Sequence, residues 1–411
     1  MLRWTDPNIG ESIVDVVLSI SEQTKKLFSD KVALVSYSSI KPSIKTLDGI
    51  NDKLDDIEIY INKMDNYPGT YLKAMTKAFR YYTRSLQGDK IPYDELLMAI
   101  QELPVKLISE DKARILKERV DKGLTDYGYK GSTQEKIDSW LEATRIEPEQ
   151  VTKTAEMFLK VAKKATLERI CDLPKQDGID AVKSIKEVFW SGYSAYTGEY
   201  RGNLTFNIDR PWSEPTFAQV LTHEAYPGHQ TFYCRWDYLY QNGKLPLEAS
   251  YYMVNSPTNA LFEGGPEMAL HFLGWDDEND KSSEITKDAK KRYALARDLM
   301  DMQRIAQTNA CFLTNLGQID KKGSLDYMKR LGFMNEIESE NSYRFFTHPV
   351  QKTYYPSYYH GRWMIGKSYE MIPVDKRSEY FKILYDTPHT TSTFIEAIKA
   401  LTGKEFDPFK D

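Results

Sequence analysis

Most of the chain carries helical spacing, and one stretch carries strand spacing. Apolar and charged residues mix at three- and four-residue intervals around 12–30, 52–65, 70–87 and 108–122, which predicts helices there. Val151, Ala155, Phe158, Ala162 and Ala165 fall on one helical face behind the start signal Glu147-Pro148-Glu149. The texture changes near Trp190. From Tyr196 to Asp209 the chain is rich in aromatic, β-branched and glycine residues. Leu204, Phe206 and Ile208 alternate with polar neighbours there, as a half-buried strand does. Helical spacing resumes near Thr216, and a long helix is predicted from about Glu284 to Leu316. The predicted fold class is mainly α, with one small β-sheet.

The change in texture divides a helical part, 1–190, from a second part, 191–411. No Pro/Gly/Ser-rich linker separates them, so the boundary is soft and one shared core stays open. The 411 residues suffice for a substantial core, and a net charge of -5 offers no basic surplus for nucleic acid or an anionic membrane. Cys171, Cys234 and Cys311 lie far apart and read as buried or incidental thiols in a reducing compartment. The first residues show no basic stretch followed by an apolar run, and no segment has bilayer length. A cytoplasmic location is the expectation, with no membrane or nucleic-acid partner.

The candidate chemistry lies in His223-Glu224-Ala225-Tyr226-Pro227-Gly228-His229. A hydrolytic zinc site needs neutral imidazoles, a carboxylate and one position open to water. A neighbouring glutamate serves as the base. His-Glu-x-x-His on a helix sets both rings on one face. Here the second histidine comes six positions after the first, about 240° round a regular helix, so the rings would point apart. Pro227 removes a backbone donor and disfavours helix at Tyr226, and Gly228 accepts unusual dihedrals. A bulge or break there would bring His229 back beside His223.

A third ligand is needed, and Ser256-Pro257 begins a helix that carries Glu263. Gly264-Gly265-Pro266 is expected to disrupt that helix just after Glu263. Glu267 is the competitor on the same face. Glu263 is the preferred ligand, and Glu267 a partner to a ligand or a surface charge.

His-Glu-Ala-Tyr-Pro-Gly-His-Gln followed by Phe-Glu-Gly resembles the domain-of-unknown-function 885 family, grouped with the gluzincin metallopeptidases. Gly265 and Pro266 stand where that family has tryptophan and alanine. The resemblance implies a gluzincin-like helical fold, one Zn²⁺ held by His223, His229 and Glu263, and Glu224 as general base. It also implies that Gly202–Ile208 is the edge strand against which substrate lies. Tyr354-Tyr-Pro-Ser-Tyr358-Tyr-His-Gly361 is similar to a segment of the M32-type metallocarboxypeptidases. That likeness points to Tyr358 as hydrogen-bond donor to the oxyanion, with His360 and Arg362 as weaker substrate-binding candidates.

The remaining histidines have no ligand spacing. His271 reads as packed or capping, His348 as a loop residue able to reach the site, and His389 as solvated in a turn. The expected function is a zinc-dependent, carboxypeptidase-like peptidase. The alternatives are a metal-dependent hydrolase of another amide or ester, and a helical binding protein with a structural or vestigial metal site. Substrate identity, native metal and oligomeric state stay open.

Overall fold

The computed structural model describes residues 2–28, 33–281 and 283–410. The first half holds helices α1 (Pro7–Phe28), α2 (Leu47–Ile61), α3 (Tyr67–Leu86), α4 (Tyr93–Gln101), α5 (Glu110–Asp126), α6 (Thr133–Ala143) and α7 (Val151–Arg169). Strands β1 (Leu34–Ser36) and β2 (Arg145–Ile146) interrupt them. Then come β3 (Gly178–Ile185), β4 (Gly192–Gly198), β5 (Arg201–Asn207) and β6 (Trp212–Ser213). Helices α8 (Glu214–Glu224) and α9 (His229–Gln241), strand β7 (Tyr251–Met253), and helices α10 (Asn259–Glu267) and α11 (Ala269–Phe272) follow. The chain ends with α12 (Lys287–Asn315), α13 (Lys321–Gly332), α14 (Glu336–Thr347), α15 (Ser357–Met371), α16 (Arg377–Asp386) and α17 (Thr391–Thr402).

The fold is mainly α with small sheets, as the spacing predicts. Residues 29 and 30 of the first predicted helix lie outside the described residues. Helix starts are set locally. Thr46, Asn66, Ser132, Ser213, Thr286, Asn335 and Thr390 each accept a hydrogen bond from the N–H three residues on. Each bond satisfies a donor that the first turn leaves unpaired.

Both halves contribute to one core. Ile13, Val17, Leu54 and Phe79 belong to the same packed cluster as Phe217, Trp236, Phe262 and Tyr385. Two strand pairs also cross position 190: β1 pairs antiparallel with β7, and β2 with β6. A smaller cluster joins Trp140 of α6 to Leu299 and Met302 of α12.

The three-stranded sheet has the order β3-β5-β4, with β5 parallel to β3 and antiparallel to β4. The strand at Gly202–Ile208 is therefore central, which corrects its assignment as the edge. Leu204 and Phe206 are fully buried, and Phe206 meets Phe217 of α8 with ring centroids 4.9 Å apart. A strand with one face sealed against a helix and hydrogen bonds on both sides is an interior strand. The free edge next to α8 belongs to β4.

A second correction concerns Gly264-Gly265-Pro266, which does not disrupt its helix. Helix α10 runs through to Glu267. The two glycines serve close packing instead. A Cβ on Gly264 would lie 2.4 Å from the Gly361 carbonyl of α15, and one on Gly265 would lie 2.8 Å from the Phe232 ring. Among the described residues no helix is long and apolar enough to cross a membrane.

Phe206→Ala empties a sealed position between the sheet and α8. A stability loss of about 3–5 kcal/mol is expected, read as a shifted urea midpoint.

Candidate metal centre

Helix α8 begins at the Ser213 cap with Pro215 in its first turn, and its last two residues are His223 and Glu224. Beyond them the chain leaves the helix. The Tyr226–Pro227 peptide is cis, and α9 starts at His229. The Gly228 N–H returns to the Thr222 carbonyl at 3.1 Å. A Cβ at Gly228 would stand 1.8 Å from the His223 carbonyl oxygen, so only glycine fits. The break brings His229 beside His223, with ring centroids 4.8 Å apart and ring planes at 83°.

Distant groups hold the break. Buried Asp177 accepts hydrogen bonds from Tyr226 Oη at 2.9 Å and Gln230 Nε2 at 3.1 Å, one on each side of it. Lys163 Nζ lies 2.7 Å from the same carboxylate, and Tyr385 Oη bonds the Pro227 carbonyl at 2.8 Å. Asp177 carries no local signal in the sequence, because it reads as part of a Pro-Lys-Gln-Asp-Gly turn.

Glu263 on α10 is fully buried and faces both rings. Its carboxylate oxygens lie 3.3 Å from His223 Nε2 and 3.5 Å from His229 Nε2. One ligand atom from each residue falls within a 4.8 Å span. Tetrahedral ligands about 2.0–2.2 Å from a zinc ion stand roughly 3.4 Å apart, so the first two separations suit that geometry. Glu263 Oε2 is buried and makes no hydrogen bond, while Oε1 accepts one from Tyr354. A two-imidazole, one-carboxylate set with an unsatisfied inward oxygen fits a divalent cation such as Zn²⁺.

The surrounding charges favour the same ion. Glu224, Glu263 and Glu267 all act on His223. Burial opposes charge on this ring, but Glu263, 3.3 Å from its Nε2, and the carboxylates of Glu224 and Glu267 outweigh it and lift His223 to about 9. Burial and the charge on His223 push His229 well below its usual value, which keeps it neutral for ligation. Glu267 lies 3.6 Å from His223 Nδ1 and 2.8 Å from Arg304 Nη2. Burial works against its charge, yet Arg304, His223 and Arg362 hold it below the usual carboxylate range. It therefore backs the His223 ring on the side away from Glu263. Sequence reasoning missed Arg304, which lies deep in α12 among other charged residues.

Glu224 sits between α8 and the β4 edge. Gly192 packs on it so closely that a Cβ would lie 3.0 Å from Glu224 Cγ, and the Ser194 backbone N–H bonds its carboxylate. Burial pushes this carboxyl up to about 7. Tyr358 lines the same space, with its ring 6.1 Å from that of His223 and its hydroxyl 3.4 Å from Tyr354 Oη. Tyr354, its partner one turn earlier, bonds the candidate ligand Glu263 and was also missed. The pairing of tyrosines four apart was the available clue.

His360 and Arg362 are not brought to this cluster. The His360 ring packs among Phe312, Tyr359 and Phe409. Arg362 is committed to the Asp301 carboxylate and the Glu267 carbonyl. On α15 His360 falls two residues past Tyr358 on another face, while Arg362, one turn along Tyr358's own side, is taken up by Asp301. His271 bonds Asp276 at 2.9 Å, and His348 packs on Phe28 and accepts the Val350 N–H. His389 is buried against Tyr67 and Thr393, a correction to its solvated assignment, because the turn before α17 is covered by α3.

No family model and no curated protein matches the chain. Two solved structures share its fold. One is named as a putative lipoprotein from Colwellia psychrerythraea, with TM-score 0.56, 14% identity, and coverage of 94% of this chain and 69% of that one. The other is named as a putative lipoprotein of unknown function from Shewanella oneidensis, with TM-score 0.50, 15% identity, and coverage of 96% and 73%. At these identities the likeness concerns the fold alone.

Two outcomes follow from the geometry. Gly228→Ala should weaken zinc binding at least about tenfold in equilibrium dialysis, because the break must shift and His229 with it. The pH dependence of stability should invert with metal. In chelated protein Glu224 and His223 both have raised folded values. Their contributions are present below about 4.5 and 6.5 and are lost as pH rises through about 7 and 9. The melting temperature of chelated protein should therefore fall across this range. Excess Zn²⁺ should make it rise from pH 5 to 7 instead, because ligation requires unprotonated rings.

Proposed function

We propose that the chain is a zinc-dependent, carboxypeptidase-like peptidase. One observation carries the reading: the ligand atoms of His223, His229 and Glu263 converge within 4.8 Å, with Glu224 beside them under a free strand edge. His223, His229 and Glu263 would hold the ion, and when bound it supplies Lewis acidity toward water and the scissile carbonyl. Glu224 takes a proton from the attacking water and returns it to the leaving amine. A carboxyl lifted to about 7 is matched to both tasks. Tyr358 donates its hydroxyl to the oxyanion. The outer edge of β4 offers backbone groups to an extended peptide, in the manner of strand addition.

A closed structural zinc site takes four protein ligands. Among the described residues this cluster has three, and Glu267 meets the opposite nitrogen of His223. That favours a site with an open position.

The test is hydrolysis of short peptides. Activity should vanish with chelator and return with Zn²⁺. Glu224→Gln should bind zinc but lose about 10²–10⁴-fold in kcat/KM. Chelator-insensitive cleavage, or full activity in the glutamine variant, would sink the reading.

A further inference from the structure

Each of the two candidate ligand rings lies alongside a tyrosine, and only one of these has been given a task. Tyr358 stands 6.1 Å from His223 with ring planes at 27°, and Tyr233 stands 5.8 Å from His229 with ring planes at 8°. The two imidazoles are themselves at 83°, so the phenols flank the cluster on different sides. Tyr233 follows His229 by one turn of α9, and both side chains leave the same face of that helix. One such step along a helix rises about 6 Å. The ring separation matches that rise, so the two rings run side by side. A phenol is longer than an imidazole. The Tyr233 hydroxyl therefore reaches past the His229 ring, on the side where Glu263 lies 3.5 Å from Nε2.

That hydroxyl is unengaged. Tyr233 is only 6% exposed, and among the described residues its Oη has no hydrogen-bond partner. It is nevertheless not sealed in, as the unpartnered hydroxyls of Tyr71, Tyr82 and Tyr251 are. The space it opens onto is the site: Tyr193, Glu263 and Glu224 all act on it. Tyr193 comes between Gly192, which rests on Glu224, and Ser194, whose N–H bonds the Glu224 carboxylate. The Tyr193 side is open to solvent. On its other sides the Tyr233 ring is held by Tyr196 at 5.8 Å and Tyr252 at 6.0 Å. The Tyr358 hydroxyl, by contrast, already faces Tyr354 Oη at 3.4 Å. A phenylalanine would pack equally well among these rings without desolvating a hydroxyl, so a phenol kept here without a protein partner calls for a ligand.

We infer that Tyr233 is a second catalytic tyrosine, whose hydroxyl donates a hydrogen bond to the oxygen of the scissile carbonyl. That oxygen gains negative charge as water adds to the carbon, so a donor already fixed in place stabilises the attacked state more than the bound peptide. Tyr233 is fixed by three neighbouring rings and approaches from the His229 side, while Tyr358 approaches from the His223 side. The inference rests on the peptidase reading and adds a residue to its machinery.

The experiment uses the zinc-loaded chain and Tyr233→Phe, which removes the hydroxyl and keeps the ring. With benzoyl-glycyl-phenylalanine as substrate, kcat should fall about 10²-fold while KM stays within about threefold. Calorimetric affinity for the phosphinic analogue of that peptide, in which tetrahedral phosphorus replaces the attacked carbon, should fall by a similar factor. In the Glu224→Gln background, Tyr233→Phe should leave affinity for the peptide itself unchanged. Zinc affinity in equilibrium dialysis should stay within about twofold, and the melting temperature of zinc-free protein should not drop, because the hydroxyl has no protein partner to lose. Unchanged kcat and unchanged affinity for the phosphinic analogue overturn the inference and leave the peptidase reading intact, since chelator and Glu224→Gln decide that reading. Equal weakening of peptide and analogue also overturns it, as does a loss of zinc affinity large enough to account for the lost activity. A parent chain that neither cleaves the peptide nor binds the analogue counts against the inference, and chelator-dependent hydrolysis of other short peptides then decides the peptidase reading separately.

Discussion

The site depends on one steric constraint, the passage of Gly228 against the His223 carbonyl. A regular helix would carry His229 to the wrong side. The chain instead leaves α8 after Glu224, crosses Tyr226 and Pro227, and restarts as α9 with His229 at its head. The turn is so tight that no side chain fits at Gly228. Asp177 then ties residues on both sides of it to the strand region. Without this arrangement Glu224 would still lie beside one histidine, but the His223, His229 and Glu263 cluster would not form.

A second close approach delivers the other half of the site. Gly264 and Gly361 let the backbones of α10 and α15 nearly touch. That contact sets Glu263 on one helix against Tyr354 and Tyr358 at the start of the other. Glu263 receives the Tyr354 hydroxyl, and Glu267 one turn later backs His223 with Arg304 as its counter-ion. Three carboxylates around one imidazole repel one another in a buried space, and a divalent cation relieves that repulsion. Burial is the chief cause that raises Glu224, and the neighbouring charges of Glu263 and Glu267 add to it.

Much of the frame was legible in order along the chain. Apolar spacing located α1, α2, α3, α5, α7 and α12 to within about five residues, because each of these helices buries one face. The long helix was read as Glu284–Leu316 and is Lys287–Asn315. Where the reading failed, the missing information was a neighbour. Alternation marked Leu204 and Phe206 as strand residues but could not say which strand is the edge, since that depends on β3 and β4 pairing on either side. Gly264-Gly265-Pro266 looked like a helix stop, yet its glycines answer to Gly361 and Phe232. His360 and Arg362 sat near Tyr358 in sequence, but helical rotation points His360 at Phe312, and Arg362, one turn beyond Tyr358, is paired with Asp301.

By itself the sequence determined the chemistry available: two imidazoles, a neighbouring glutamate, a later glutamate and a tyrosine segment. It also determined that proline and glycine would bend the chain between the histidines. Residue type sets which atoms can ligate or move a proton, and local backbone preference sets where a helix must break. Only the tertiary structure decided that the break turns His229 inward and that β4 is the edge above Glu224. It alone placed Asp177 and Arg304 around the site. Those decisions rest on contacts between residues tens to hundreds of positions apart, and no local pattern records such contacts.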